Sequence, residues 1–346
     1  MANIMIGRAL DDRVTGASRS RADPHLHSDL HMRHGRDTVV AESSPRLSSV
    51  LWRTFFALQE EAMQHPANIR RIVLVVLDGV RSDSVALFPL PHFKALAQRG
   101  ARTFAGRTVL PSVTAAAMTS LFTGVAPETH GIMNDRFGLP RAGLLPLPVL
   151  LAEHGVPVHA YLHNIARAYR GLAARVGSRL NATITFAGED AAEIAATAAT
   201  MLDRRLPGLY FLHWPDADRA GHASGWTSAH YARAARNLDQ LLGALVERTG
   251  VLDDPSTLLI AMADHGGGGV DPRDHDSRHP LDTTIPIVLA GGQILPGELP
   301  AGTRLLDVAA TIPWALGIDT PTAYHGVPLA SAFSAPREEA LAGAAA

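Results

Sequence analysis

The sequence predicts an α/β protein with a mainly parallel central sheet and helices on both faces. Three observations lead there. From residue 71 onward, apolar runs of strand length alternate with longer runs of helical periodicity. Two of the strand runs, Ile72–Leu77 and Leu258–Ala263, are apolar throughout, the pattern of strands covered on both faces. Each stops on a carboxylate, in Asp78-Gly79 and Asp264-His265-Gly266, and the carboxyl ends of strands are where open α/β sheets build their sites.

The elements follow in order. Ile72–Leu77 reads as a strand and Leu90–Arg99 as a helix closed by Gly100, a C-cap signal. Thr114–Leu121 opens a second helix ahead of Thr123-Gly124. Leu147–Glu153 is a helix closed by His154-Gly155, and Val156–Tyr161 is the next strand. Ala191–Leu202 is an alanine-rich helix, Leu209–His213 a short strand, and Ser228–Arg248 a long helix ending at Thr249-Gly250. Leu258–Ala263 and Ile285–Leu289 are strands, and Leu305–Leu316 is a closing helix before Gly317. Strand–helix alternation of this kind gives a parallel sheet sandwiched between helices.

The flanks read differently. Residues 1–45 are rich in Arg, Asp, Ser and His without apolar periodicity, and are expected to form a disordered extension. Its His25, His27, His31 and His34 suit metal by composition, but the segment reads as a solvated tail. Leu47–Met63 places Leu51, Phe55, Leu58 and Met63 near one helical face. Residues 46–335 are expected to form a single domain, and 336–346 a flexible tail.

Composition excludes several functions. An apolar share of 47% supports a sizeable core. With 31 basic against 33 acidic residues, nothing points to a nucleic-acid-binding surface or an anionic membrane. Cysteine is absent, which removes disulfides and thiolate ligands. No run reaches the ~18 apolar residues of a membrane span, and the polar N-terminus is unlike a signal peptide. A cytoplasmic location is the expectation.

Chemistry concentrates in four places. A carboxylate buried at a strand end needs a compensating charge, and Asp with His is a ligand set suited to zinc. Asp78 and the Asp264/His265 pair are two such places. Asp218 and His222, four residues apart with Gly221 between them, form a third, in which Asp216 competes with Asp218. Asp274, His275, Asp276 and His279 are the fourth. Four glycines, Gly266 to Gly269, suggest a loop that approaches something closely. Thr114 starts a helix, where exposed N–H groups favour an anion. Its hydroxyl is either an N-cap or, beside a metal, a nucleophile.

Taken together, these segments resemble the alkaline phosphatase superfamily, most closely its type I phosphodiesterase/nucleotide pyrophosphatase branch. The resemblance runs from about Arg70 to Leu329. It rests on Asp78-Gly79 with Arg81, on Pro111-Ser112-Val113-Thr114 followed by Leu121-Phe122-Thr123-Gly124, and on Pro127-Glu128-Thr129-His130-Gly131-Ile132 with Asn134. Further along, Asp218-Arg219-Ala220-Gly221-His222, Asp264-His265-Gly266, His275, Asp307–Ile312 and Gly326-Val327-Pro328-Leu329 continue it in order.

The resemblance implies an alkaline phosphatase-like three-layer sandwich. It also implies two divalent metal ions, zinc or else manganese. Asp78, Thr114, Asp264 and His265 would hold one ion. Asp218, His222 and His275 would hold the other, with His279 competing for the last place. The activity implied is cleavage of a phosphodiester or pyrophosphate in a small, nucleotide-like substrate, through a phospho-threonine on Thr114. A phosphomonoesterase or phosphonate hydrolase on the same site is the alternative, and an inactive metal-binding protein the alternative of another class. One departure is Ala117, where the family carries an Asn that helps to hold phosphate. Arg136, Arg141, Arg167, Arg170 and Arg175 lie in segments expected to shape the pocket. His130 and His325 read as packing residues, Trp214 and Tyr210 as core, and Asp83 as a neighbour of the first metal loop.

Overall fold

Asp78, Asp218 and Asp264 are brought together by the order of the strands. The computed structural model describes residues 65–66, 68–135 and 138–334. The expected extension at 1–45, the helix at Leu47–Met63, Arg136 and the tail at 336–346 lie outside the described residues.

Among the described residues the sheet has eight strands: β1 (Arg71–Leu77), β2 (Ala101–Arg107), β3 (Val158–Leu162), β4 (Ala182–Phe186), β5 (Gly208–Trp214), β6 (Thr257–Met262), β7 (Thr284–Gly291) and β8 (Gly297–Glu298). Their spatial order is β4-β3-β5-β1-β6-β7-β2-β8. All pairings are parallel except those of β7 with β6 and with β2. The expectation of a mainly parallel sheet in an α/β fold is met, with β7 the one reversed strand.

β1 lies at the centre, between β5 and β6. Every residue of β1, β5 and β6 is buried, so both faces of this part of the sheet are covered. Each buried Val, Leu or Ile side chain contributes roughly 1.5–3 kcal/mol. The one charged residue of β1, Arg71, is buried at the opposite end of the strand from Asp78. There it pairs with Asp254 at 3.2 Å and donates to Thr257 and to the Leu202 carbonyl.

The helices are α1 (Ser84–Leu87), α2 (Pro91–Arg99), α3 (Thr114–Thr123), α4 (Pro127–His130), α5 (Leu147–Glu153), α6 (Arg167–Arg179), α7 (Ala191–Leu202), α8 (Asp216–Ser224), α9 (Ala229–Thr249), α10 (Pro280–Thr283) and α11 (Leu305–Ala315). Asp190 caps α7 through the Glu193 amide and Ser228 caps α9 through the Tyr231 amide, the N-cap chemistry expected of Asp and Ser.

Two glycines do different work from the one their positions suggest. Gly100 follows α2 but is extended, with φ −126°, so it is no left-handed cap. A side chain there would stand 2.1 Å from the Leu289 carbonyl of the neighbouring strand, so close passage of β7 demands the glycine. Gly221 belongs to no turn; it lies inside α8, where a Cβ would meet the Trp226 ring at 2.5 Å.

Candidate metal centre

The three central strands deliver one carboxylate each. Asp78 follows β1 directly and its amide donates to the Trp214 carbonyl at the end of β5. Asp218 lies in the first turn of α8, which starts two residues beyond β5, and its amide donates to the Asp78 carbonyl at 3.0 Å. This close passage requires Gly79: φ is +70° there, and a Cβ would stand 2.8 Å from the Asp218 Cα. Asp264 lies two residues beyond the end of β6, and its Oδ1 accepts from the amides of Gly79 and His265.

Around these carboxylates stand the predicted histidines. His265 Nε2 lies 3.2 Å from Asp78 Oδ1 and 3.6 Å from Asp264 Oδ2. His222 Nε2 and His275 Nε2 lie 3.4 and 3.6 Å from Asp218 Oδ1 and 3.1 Å from each other. The His265 and His275 rings stack at 3.8 Å, so the two groups of residues touch. Thr114 Oγ lies 3.0 Å from His265 Nε2 and 3.4 Å from Asp78 Oδ1. All seven predicted site residues are therefore brought into one cluster.

The open alternatives differ in position. Thr114 is the first residue of α3 and Val113 is its N-cap, without a side-chain bond, so the Thr114 hydroxyl is not a cap. Asp216 turns away and accepts from the Ala191 amide. His279 caps α10 by accepting from the Leu281 amide through Nδ1. The glycine-rich loop passes closely by Trp226 and the Leu281 carbonyl, which would stand 2.1 and 1.9 Å from side chains at Gly267 and Gly266.

The expected packing residues behave as such. His130 is buried against Ser120 Oγ, and His325 accepts from the Ala126 amide. Trp214 and Tyr210 are core residues. Asp83 pairs with Arg81, the arginine of the first metal loop. Arg141 and Arg170 donate to the carbonyls of Glu128 and Ile165, and Arg167 and Arg175 are exposed. Ala117 is buried inside α3. The Ala115 amide, one of the N–H groups open to an anion at this helix terminus, is taken by Asp135 Oδ1 at 2.9 Å.

The donor set fits divalent metal. Asp78, Asp264 and His265 form one compact ligand group, Asp218, His265 and His275 a second, and His222, Asp274 and His275 a third. Asp218 Oδ1 and Asp264 Oδ2 are buried with no hydrogen-bond partner among the described residues, a costly arrangement that a cation would relieve. Each of the three histidines places Nδ1 against a backbone carbonyl: His265 on Gly266 at 2.8 Å, His275 on Ser112 at 2.7 Å, His222 on Arg273 at 2.8 Å. A proton held on Nδ1 in this way leaves the Nε2 lone pair directed at the cluster, the usual second partner of a metal-binding imidazole. Asp274 was visible in the sequence as part of the dense fourth cluster.

Electrostatics follow from crowding. Burial, then repulsion from Asp264 and Asp218, pushes the Asp78 carboxyl up to about 7. Burial also works against ionised Asp264, but His265 and His213 beside it overcome this and hold it below the usual carboxylate range. Burial disfavours protonated His265, yet Asp264 and Asp78 hold it well above its ordinary value. His275 is lowered, by burial and then by His265.

One residue of the cluster escaped the sequence reading. His213, on β5 opposite Val76, is buried, and its Nε2 lies 3.6 Å from Asp78 Oδ2 and 4.0 Å from Asp264 Oδ2. The available signal was a lone imidazole near the end of an otherwise apolar strand.

Comparison with known proteins identifies the family. The chain is 25% identical over 240 residues to human ectonucleotide pyrophosphatase/phosphodiesterase family member 5, covering 64% of this chain and 48% of that protein. It is 34% identical over 124 residues to a phosphopentomutase of Anaeromyxobacter dehalogenans, covering 36% of this chain and 29% of the mutase. The matched segments thus span less than half the length of these relatives. Among solved structures, murine ectonucleotide pyrophosphatase/phosphodiesterase 5, as an inactive variant with AMP, superposes with a TM-score of 0.59 at 14% identity. That superposition covers 77% of this chain and all of the murine one, and shows a common fold. The sequence pattern of type I phosphodiesterase / nucleotide pyrophosphatase matches residues 72–144 and 151–294, more than half of the chain. The chain belongs to the type I phosphodiesterase / nucleotide pyrophosphatase family.

Proposed function

We propose that this protein is a two-metal phosphohydrolase that cleaves a phosphodiester or pyrophosphate bond through a phospho-threonine on Thr114. The observation that carries the reading is the position of the Thr114 hydroxyl, at the head of α3 and within 3.4 Å of both His265 and Asp78. Asp78, Thr114, Asp264 and His265 would hold one ion, and Asp218, His222 and His275 the other. Carboxylate and imidazole donors suit zinc, with manganese as the alternative. When bound, the ions supply Lewis-acid charge that lowers the hydroxyl pKa and neutralises developing negative charge on the phosphoryl oxygens.

The chain's own residues do the rest. Thr114 Oγ forms the bond to phosphorus while the ester or anhydride oxygen leaves with its electron pair. The Thr114 proton leaves to solvent water, while Asp78 and His265 keep the hydroxyl oriented. The N-terminus of α3 presents its partial positive charge to the phosphoryl group. Water then breaks the bond between phosphorus and Thr114, restoring the hydroxyl. The AMP bound by the murine relative supports a nucleotide-like substrate.

Thr114→Ala is expected to abolish hydrolysis of bis-p-nitrophenyl phosphate while the purified variant keeps about two metals per chain. Full activity in that variant would remove the nucleophile assignment. Absence of metal from wild-type protein, even after reconstitution with zinc or manganese, would remove the two-metal reading.

A further inference from the structure

His213 belongs to none of the three ligand groups, yet it faces the cluster from below. It is 6% exposed, and its Nε2 has no hydrogen-bond partner among the described residues. The Oδ2 oxygens of Asp78 and Asp264 lie 3.6 and 4.0 Å from that nitrogen. Asp78 thus has two distinct sides: Oδ1 turns to Thr114 and His265, while Oδ2 turns to His213. Asp264 is divided in another way, with Oδ1 fixed by two amides and Oδ2 lying between His265 and His213.

The three predicted histidine ligands all hold Nδ1 against a carbonyl and point a bare Nε2 inward. His213 makes no such carbonyl bond among the described residues. With two carboxylate oxygens in front of Nε2, the tautomer that fits is the one with the proton on Nε2, which makes His213 a donor rather than a ligand.

From this geometry we infer that His213 is a positioning residue of the metal centre: its Nε2–H, 3.6 and 4.0 Å from the outer oxygens of Asp78 and Asp264, orients the two carboxylates by charge for the ion they would share with His265. The inference rests on the two-metal reading and extends it to a residue outside the ligand set. Outer partners of ligating carboxylates typically change metal affinity about 10–100-fold when removed. Asp78 also touches Thr114, so loss of His213 is expected to reach the nucleophile through Asp78.

The test compares His213→Leu and His213→Gln with wild type, using the full chain. Zinc affinity is read by competition with a chromogenic chelator, and coordination by the visible spectrum of the cobalt(II)-substituted protein. Wild type is expected to bind two zinc ions. His213→Leu should weaken one of them about 10–100-fold and leave the other unchanged. The melting temperature of its metal-free form checks that it folds. His213→Gln, which restores a side-chain donor, should return affinity to within about threefold of wild type. Both variants, once saturated with cobalt, should keep the wild-type bands.

Wild-type affinity for both ions in His213→Leu would overturn the inference and make His213 a bystander. A loss in both variants that glutamine does not rescue, with shifted cobalt bands, would overturn it in favour of His213 as a direct ligand. Failure of wild type itself to bind zinc, manganese or cobalt would overturn the two-metal reading and the inference with it, an outcome distinct from the other two.

Discussion

At the scale of single residues, the chemistry is set by which oxygen or nitrogen of each side chain remains unengaged. Asp218, His222, Asp264, His265 and His275 stood out because Asp and His recur together in their segments, Asp78 because it ends an apolar strand, and Thr114 because it heads a helix. The choice between Asp216 and Asp218 was not legible, since it depends on the Ala191 amide, contributed by a helix 25 residues away. His213 was hidden for a similar reason: its role depends on strand β1 lying beside β5, which no local pattern announces. Asp135 is the other unforeseen neighbour. Its carboxylate takes the Ala115 amide at the head of the nucleophile helix, where phosphoryl oxygens would otherwise be received. A fixed negative charge there disfavours a dianionic monoester more than a monoanionic diester. Asp135 is exposed, so solvent screens the effect. Asp135→Asn keeps an acceptor for the cap while removing the charge. It is expected to raise kcat/KM for p-nitrophenyl phosphate relative to bis-p-nitrophenyl phosphate by about 3–10-fold. An unchanged or reduced ratio would show that Asp135 has no part in substrate charge selection.

At the scale of elements, long apolar or alanine-rich segments were found in the sequence and amphipathic edge segments were not. The strands β1, β5 and β6 are buried throughout, and the helix at Ala191–Leu202 is alanine-rich with Ala191, Ile194, Ala195, Ala198, Ala199 and Leu202 buried. The strands β2 and β4 carry few fully buried residues and lie toward the margins of the sheet. Helix α6, with four arginines and only Gly177 buried, offers no apolar stripe broad enough to read. Helix α8 is the instructive miss. Asp216–Ser224 is polar and contains a glycine, so it reads as a loop, and its helicity comes from tertiary support. Trp226 provides that support. Its ring lies against Gly221 and Gly267 and packs edge-on to His222 and His275 at 5.2 and 5.8 Å, while its Nε1 donates to the Gly79 carbonyl. One indole therefore joins the three loops that carry the ligands. Gly221→Ala forces a methyl into that contact, which is expected to cost about 1–3 kcal/mol in urea unfolding. The same shift should weaken zinc binding at Asp218, His222 and His275. Unfolding and zinc affinity both equal to wild type would mean that the Trp226 contact does not position α8.

At the scale of the whole molecule, the order of strands creates an electrostatic problem that a bound cation would relieve. β5 and β6 flank β1, so the carboxyl ends of three neighbouring strands converge and bring Asp78, Asp218 and Asp264 into one buried cluster. The strand directions and the reversal at β7 could not be read from the sequence, because an apolar run is equally compatible with either direction. Without metal, three groups of this cluster bind protons more tightly in the folded chain than in the unfolded one, while Asp264 and His275 bind them less tightly. Asp78 is raised to about 7 by burial and then by Asp264 and Asp218, and His265 and His213 are raised because the neighbouring carboxylates outweigh their burial. A raised folded pKa gives stability that is complete below the unfolded value and lost as pH rises through the folded one. For Asp78 that window runs from about 4 to 7. The metal-free protein is therefore expected to lose on the order of 2–4 kcal/mol across this range. The metal-loaded protein, in which ions replace those protons, gains over it as pH rises. Differential scanning calorimetry with and without chelator at pH 5 and pH 7.5 checks the sign: the drop in Tm on chelation should be larger at pH 7.5. Metal-free Asp78→Asn should show a flatter decline, since it removes one of the repelling charges. A metal-free protein that becomes more stable between pH 5 and 7.5 would contradict the clustering of ionised carboxylates from which the centre is built.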